Sequence, residues 1–188
     1  MNELGFVVTL LGAESTGKTT LAAEIGAALA ARGRRVAVVA EALREFCDRN
    51  ARTPRREEQA AIAAEQSQRI DAAAALSEIV VADTTALMIA VYSDFVFADP
   101  GLYAGALAAQ RRYELTLVTA LDLPWHPDGL QREGEHVRAP VDALLRGALA
   151  RAAIAFTTIA GSGKGRVEAA LKAIDGALAA HRPGLARR

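Results

Sequence analysis

The chain has 188 residues, a length that suits one domain with a single substantial hydrophobic core. Lysine plus arginine equal aspartate plus glutamate at 22 each, so no overall charge would attract nucleic acid or an acidic membrane surface. The one cysteine, Cys47, cannot form an internal disulfide, which favours a reducing compartment. We therefore expect one cytoplasmic domain over residues 1–188 that binds small anionic ligands, with a frayed tail at 181–188 and no membrane segment.

The predicted elements alternate between strands and helices along the chain. Leu21, Ile25 and Leu29 recur at four-residue spacing within Lys18–Ala31, which predicts a helix packed on a sheet. Five aliphatic runs predict strands: Gly5–Leu11, Arg35–Ala40, Glu78–Asp83, Glu114–Ala120 and Ala155–Ala160. This order predicts an α/β fold, a doubly wound five-stranded parallel sheet between two helical layers, with ligands at the carboxyl ends of the strands.

A phosphate-binding loop follows the first strand directly. The pattern is G-x-x-x-x-G-K-T, and its residues are Gly12, Ala13, Glu14, Ser15, Thr16, Gly17, Lys18, Thr19 and Thr20. Such a loop turns successive backbone N–H groups inward as an anion nest at a helix N-terminus. Lys18 is expected to reach the β- and γ-phosphates of a nucleotide, and Thr19 to bind Mg²⁺. The sequence therefore predicts a P-loop NTPase fold of the nucleoside and nucleotide kinase type.

Charged residues follow the second and third predicted strands, where the fold places ligands. Glu41 and Arg44 are three residues apart and share one face if a helix has begun by Glu41. Asp83 ends four apolar residues, the pattern that places a carboxylate near the metal in P-loop proteins. The alternative role for Asp83 is a helix N-cap, for which Thr84 and Thr85 are further candidates.

The segment 123–138, between the fourth and fifth predicted strands, is typical of a lid. It holds the only tryptophan, Trp125, together with Asp128 and two arginines, Arg132 and Arg138. Arginine suits a lid because its permanently charged fork stabilises a transferred phosphoryl group once the loop closes. Trp125 alone is equally compatible with packing on the core and with stacking on a ligand.

Taken together, these motifs resemble the ribosylnicotinamide (nicotinamide riboside) kinase domain of NadR-type NAD biosynthesis proteins, which is grouped with AAA-type P-loop ATPases. The residues that carry the resemblance lie in order along the chain: Leu11–Thr19, Glu41 with Arg44-Glu45-Phe46, Asp83-Thr84, Trp125, Asp128-Gly129 and the two lid arginines. The resemblance implies an ATP- and Mg²⁺-dependent phosphotransferase that converts nicotinamide riboside to nicotinamide mononucleotide.

The resemblance also implies roles for individual residues. Lys18 and Thr19 would hold phosphate and magnesium, and Asp83 would belong to the metal and substrate environment. Glu41, with Arg44 beside it, would grip the ribose hydroxyls or accept the proton. On the lid side, Trp125 and Asp128 would contact the substrate, and Arg132 and Arg138 would close over the phosphates.

The chain departs from the family pattern at two positions. Thr85 stands where the family often carries a second acid, and Arg132 comes one position late in the lid pattern. The adenylyltransferase motif of the bifunctional family members is not found in the sequence, so dinucleotide synthesis is not expected. Two alternatives remain: a kinase for another nucleoside or polyol, and a nucleotide-dependent ATPase or switch module.

Overall fold

The computed structural model describes residues 4–126 and 134–181. Its strands are β1 (Phe6–Leu11), β2 (Val36–Val39), β3 (Ile79–Asp83), β4 (Leu115–Thr119) and β5 (Thr157–Ile159). Its α-helices are α1 (Lys18–Ala31), α2 (Ala42–Asn50), α3 (Gln59–Leu76), α4 (Ala86–Phe97), α5 (Tyr103–Gln110), α6 (Arg138–Arg151) and α7 (Gly163–His181). Short 3-10 turns at Arg56–Glu58, Pro100–Leu102 and Glu135–Val137 lead into α3, α5 and α6.

These strands form one parallel sheet in the order β2-β3-β1-β4-β5. β1 is central, since it pairs with β3 on one side and with β4 on the other. Every residue of β1 and β3 is buried, as expected for strands that helices cover on both faces. The doubly wound α/β fold and all five predicted strands are confirmed. Each strand begins one or two residues later than predicted, because the flanking residues lie outside the paired register.

Helices α1 and α7 cover one face of the sheet. Leu21, Ile25 and Leu29 of α1 are buried in one cluster with Val8 of β1 and Ile174 of α7. The apolar face predicted for the first helix is therefore confirmed. On the opposite face, buried side chains of α3, α4 and α6 share a second cluster with residues of β1 and β4. The molecule thus has the predicted three layers, with the sheet in the middle.

The carboxyl ends of the strands meet at one edge of the sheet. The P-loop leaves β1 at this edge, Glu41 follows β2, Asp83 ends β3, and the segment that begins after Thr119 leaves β4. Open parallel sheets bind their ligands at this edge. The fold therefore gathers residues from distant parts of the sequence around the P-loop.

Three further features can be compared with the structure: Cys47, membrane-spanning helices and the C-terminal tail. Cys47 is buried within α2, as expected for a small apolar residue on a helix. No helix among the described residues is long and apolar enough to cross a membrane. Of the predicted tail, His181 ends α7, and residues 182–188 lie outside the described part of the chain.

Candidate nucleotide and acceptor site

Two glycines give the P-loop its shape. Gly12 has a φ of 147°, and a Cβ there would lie only 2.0 Å from Thr119 Oγ1. Gly17 has a φ of 72° and is the N-cap of α1. Both backbone conformations favour glycine, since L-residues with a side chain rarely adopt them. The two glycines therefore let the loop lie against β4 and turn its backbone into the first turn of α1.

Side chains from β4 and α7 support the loop from below. Thr119 Oγ1 donates to Thr16 Oγ1 (2.7 Å), and Thr16 donates onward to the Ala13 carbonyl (2.8 Å). Arg166 of α7 is buried and donates to the Thr16 carbonyl (2.6 Å) and the Gly161 carbonyl (3.3 Å). Burial lowers the pKa of Arg166 from its ordinary value. These bonds preorganise the loop before any phosphate binds.

A cleft with a cavity volume of about 380 Å³ opens over the P-loop. Lys18 lies on its wall with Nζ 2.8 Å from the Ala13 carbonyl, and Thr19 lies exposed beside it in the first turn of α1. The full lining consists of Ser15, Thr16, Gly17, Lys18, Thr19, Thr20, Glu41, Arg44, Leu123, Pro124 and His126. The predicted phosphate residues are thus brought together with Glu41, Arg44 and the start of the predicted lid.

A second, much smaller pocket with a cavity volume of about 40 Å³ adjoins the cleft and shares Lys18 and Glu41 with it. Its lining consists of Gly12, Glu14, Lys18, Glu41, Leu43, Thr84, Met88 and Tyr92. One wall is therefore apolar, and the rest carries carboxylate, hydroxyl and ammonium groups. We call this space the acceptor pocket, since it lies beside the phosphate-binding loop.

Three buried oxygen atoms at this end of the sheet have no hydrogen-bond partner among the described residues. They are Glu14 Oε2, Asp83 Oδ1 and Thr84 Oγ1, on residues that are 5%, 3% and 1% exposed. Buried polar groups are almost always satisfied in native proteins, because an unsatisfied group costs about 1–3 kcal/mol. Of the three residues, Glu14 and Thr84 line the acceptor pocket, where a polar ligand would satisfy their free atoms, whereas Asp83 lines neither pocket.

Glu41 and Arg44 lie as the sequence predicts. Glu41 is the N-cap of α2, and Arg44 Nε lies 3.9 Å from Glu41 Oε2, so both side chains share one face. Gln66 of α3 fixes the start of this helix: its Oε1 accepts the Ala42 N–H (2.7 Å), and its Nε2 donates to the Thr84 carbonyl (3.4 Å). Gln66 therefore connects the loop that carries Glu41 with the loop that follows Asp83.

Asp83 does not cap α4. Thr85 is the N-cap of that helix, and its Oγ1 accepts the Leu87 N–H at 3.2 Å. The alternative role considered for Asp83 is therefore wrong, while Thr85 was among the candidates for it. Asp83 lies at the end of β3 beside Leu10, the residue paired with it in β1. Its carboxylate remains available for a role near the metal.

The start of the predicted lid is bonded to the P-loop. The His126 N–H donates to Ser15 Oγ (2.9 Å), and the Ser15 hydroxyl donates to the His126 carbonyl (3.0 Å). Glu14 Oε1 accepts both the Trp125 indole N–H (3.1 Å) and the Gly134 N–H (3.3 Å). Trp125 is partly buried and belongs to none of the described core clusters. Stacking on a ligand stays a prediction.

The other lid residues divide between a helix and the undescribed segment. Arg138 is 5% exposed and begins α6, so the predicted lid gives way to a helix at its last residue. Two of its guanidinium nitrogens, Nε and Nη2, lack partners among the described residues, yet Arg138 lines neither the cleft nor the acceptor pocket. Asp128 and Arg132 lie outside the described residues.

Several residues of the site were not singled out by sequence analysis. Gln66, Tyr92 and Met88 lie on helices whose facing side chains cannot be read from spacing alone. Glu14 was predicted as part of the nucleotide-binding loop, but its place in the acceptor pocket was not. Thr84 was weighed as a cap and named with Asp83 in the family resemblance, but no role in the site was predicted for it. The signal that could have found Thr84 and Glu14 is their position directly after the two central strands.

The fold and the loop define the class of protein. A parallel three-layer α/β/α domain with a glycine-shaped loop between its central strand and α1 is a P-loop NTPase fold. Residues 7–167 also match the family model described as an AAA domain, which covers most of the chain. The chain belongs to this AAA-domain family.

Solved structures give the same fold. The NadR protein in complex with NAD and AMP-PNP aligns with a TM-score of 0.73 at 22% identity, covering 98% of this chain and 52% of that one. The NadR protein in complex with NR aligns with a TM-score of 0.70 at 23% identity, covering 92% and 51%. This chain therefore spans about half the length of both structures. No curated protein matches the chain.

Proposed function

We propose that the protein is an ATP- and Mg²⁺-dependent kinase that phosphorylates nicotinamide riboside to nicotinamide mononucleotide. The observation that carries the proposal is the acceptor pocket, which adjoins the P-loop and shares Lys18 and Glu41 with the phosphate cleft. A pure ATPase or switch needs the cleft alone. A kinase needs a second space in which an acceptor hydroxyl lies next to the γ-phosphate.

The donor half of the proposed site follows from the P-loop. Its backbone N–H groups and Lys18 would bind the ATP phosphates and stabilise the charge that develops during transfer. Two residues fit a magnesium site: Thr19 offers a hydroxyl on the cleft wall, and Asp83 offers a buried carboxylate whose Oδ1 has no described partner. Mg²⁺ held by these residues would neutralise charge on the nucleotide phosphates.

The acceptor half contains a hydroxyl-binding acid and an apolar wall. Glu41 lines both spaces, so its carboxylate would accept a hydrogen bond from the ribose hydroxyl and receive its proton as phosphate is transferred. Leu43, Met88 and Tyr92 would pack against a flat ring. Arg44, on the same helix face as Glu41, lines the cleft and would contact the substrate or the phosphates.

The two NadR structures support this choice of substrate, because one contains NR and the other contains AMP-PNP and NAD. The proposal covers only phosphorylation, since this chain spans about half of those proteins. The proposal also includes the predicted lid, which would complete the site. Trp125 and Asp128 would contact the substrate, and Arg132 and Arg138 would contact the phosphates.

The test is the rate of ADP release with Mg²⁺-ATP, measured without an acceptor and then with nicotinamide riboside, uridine, adenosine and ribose. We expect nicotinamide riboside to raise the rate most. If another compound of the panel raised the rate more, that compound would replace nicotinamide riboside as the proposed acceptor. Steady ADP release that no acceptor changes would favour the ATPase or switch alternative, and nucleotide-dependent binding of a partner protein would then be the next measurement.

A further inference from the structure

We infer that the carboxylate of Glu14 makes the acceptor pocket selective for a positively charged acceptor. This inference rests on the proposed kinase function and deepens it, because it concerns the charge of the group that binds opposite the P-loop. Nicotinamide riboside carries one positive charge on its pyridinium ring. Its reduced form, dihydronicotinamide riboside, has nearly the same size and hydroxyls without that charge.

The state of the Glu14 side chain carries the argument. Glu14 is 5% exposed and lines the acceptor pocket. Its Oε1 accepts two hydrogen bonds, from Trp125 and Gly134, whereas its Oε2 accepts none from the described residues. Burying a carboxylate is costly unless charge or hydrogen bonds compensate it. A cationic group in the pocket would supply the compensation that Oε2 lacks.

The charges around the acceptor pocket also favour a cationic ligand. Two carboxylates, Glu14 and Glu41, line it against one ammonium group, that of Lys18. In the proposed reaction Lys18 binds the ATP phosphates, which add further negative charge beside the pocket. A cation bound there would be attracted by Glu14 in a partly enclosed space where screening by water is reduced, whereas Glu41 already lies 3.9 Å from Arg44.

The remaining wall is compatible with an aromatic cation. Leu43, Met88 and Tyr92 contribute apolar and aromatic surface to its lining. A flat charged ring can pack on such a wall, and an aromatic ring such as that of Tyr92 attracts a cation to its face. A neutral ring would gain the packing and lose the attraction to Glu14.

Glu14 also anchors the start of the lid, so a test has to separate its charge from its bonds. In Glu14→Gln the amide oxygen can still accept the two N–H groups that bind Oε1, while the charge is lost. In Trp125→Phe one of those bonds is lost, while the charge stays. The two variants therefore divide the two roles of this residue.

The experiment is calorimetric binding of nicotinamide riboside and of dihydronicotinamide riboside to the protein saturated with Mg²⁺-AMP-PNP. We expect the wild-type protein to bind the cation at least about tenfold more tightly, because only the pyridinium form is attracted to the Glu14 carboxylate in a partly enclosed space. Glu14→Gln should remove most of this preference by weakening only the cation. Trp125→Phe should keep most of this preference, because the Glu14 charge stays.

Three other outcomes would contradict the inference, and one of them would contradict the proposed function as well. Equal wild-type affinities for the two ribosides would overturn the inference without a variant and leave the kinase proposal standing. Glu14→Gln that keeps the wild-type ratio would overturn it as well. If the wild-type protein bound neither riboside, the proposed function itself would fail together with the inference. Melting curves of both variants would show that they are folded.

Discussion

Thr84 has a backbone conformation that a β-branched residue rarely adopts. Its φ is 74°, directly after β3, and its side chain lines the acceptor pocket. The backbone is held there by two hydrogen bonds, from the Thr84 N–H to the Leu10 carbonyl and from Gln66 to the Thr84 carbonyl. Strain of this kind costs about 1–3 kcal/mol and collects at functional sites. We interpret the Thr84 hydroxyl as a substrate ligand that the fold holds in place at that cost.

Replacing Thr84 by glycine tests this interpretation. The change relieves the positive φ and removes a buried hydroxyl that has no described partner, and both effects stabilise the folded protein. They offset two losses: the burial of the methyl group, and the extra conformational freedom of glycine in the unfolded chain. We expect Thr84→Gly to unfold within about 1 kcal/mol of the wild-type protein, or to be more stable, in urea. The KM for the acceptor should rise.

The matched control is Thr116→Gly in β4, where the threonine is buried and its hydroxyl accepts from Gln110 at 2.9 Å. This variant loses a satisfied bond and a strand former, so it should be destabilised by about 2 kcal/mol with less effect on the acceptor KM. A Thr84→Gly protein as destabilised as the control would show that no strain is stored at Thr84.

At the scale of elements, α3 positions the two loops that carry the proposed acids. Gln66 of α3 is fully buried, and its amide bonds the Ala42 N–H, the Ala40 carbonyl and the Thr84 carbonyl. It therefore connects the end of β2 with the end of β3. The exact position of these two loops matters for catalysis, because a displacement of about 1 Å at a reacting group can lower the rate about a hundredfold.

We expect Gln66→Leu to lower kcat by about ten- to a hundredfold while the KM for ATP changes little, because the P-loop is not touched. Stability should fall by about 2 kcal/mol or more, since two buried backbone groups, the Ala42 N–H and the Thr84 carbonyl, lose their partner. Steady-state kinetics and urea unfolding check both numbers.

Gln59→Leu is the control for this prediction, since Gln59 is also buried on α3 and its Oε1 has no partner among the described residues. It should leave kcat nearly unchanged. If both variants lost activity in proportion to their loss of stability, Gln66 would have a structural role only.

The elements themselves were predictable where burial decides them. Strands β1 and β3 are buried on both faces and therefore appear as unbroken aliphatic runs, and α1 shows its apolar face as Leu21, Ile25 and Leu29. The boundary at Arg138 was not predictable in the same way. A polar segment with two arginines indicates a loop. Its last residue, Arg138, instead begins α6 and is buried together with Val137, which the sequence pattern does not show.

At the scale of the whole molecule, the P-loop joins β1, β4, α1 and α7 through short hydrogen bonds, so nucleotide binding should stabilise the entire fold. A ligand present at a hundred times its Kd adds about 2.7 kcal/mol, which for a chain of this size raises Tm by about 5–10 °C. We expect this shift with Mg²⁺-AMP-PNP. Lys18→Ala should reduce it strongly, and removal of Mg²⁺ by a chelator should reduce it in the wild-type protein.

The exposed Lys172 of α7 provides the control for Lys18. Lys172→Ala should show the full wild-type shift in Tm. A shift of equal size in Lys18→Ala would place the nucleotide elsewhere on the molecule.

The donor half of the site could be predicted from the sequence, and the acceptor half only in part. The P-loop is a contiguous pattern whose glycines and lysine have fixed roles, so Gly12, Gly17 and Lys18 lie as expected. The acceptor pocket is built from four separate elements. Glu41 was found because it follows a strand, whereas Met88 and Tyr92 line the pocket through a tertiary packing that no local pattern records.

The most direct test of the account is mass spectrometry of the products formed from nicotinamide riboside and Mg²⁺-ATP, with Lys18→Ala as the blank. The account predicts nicotinamide mononucleotide and ADP in equal amounts from the wild-type protein, and at least about a hundredfold less product from a folded Lys18→Ala variant. ADP without the mononucleotide, or equal product from both proteins, would contradict it.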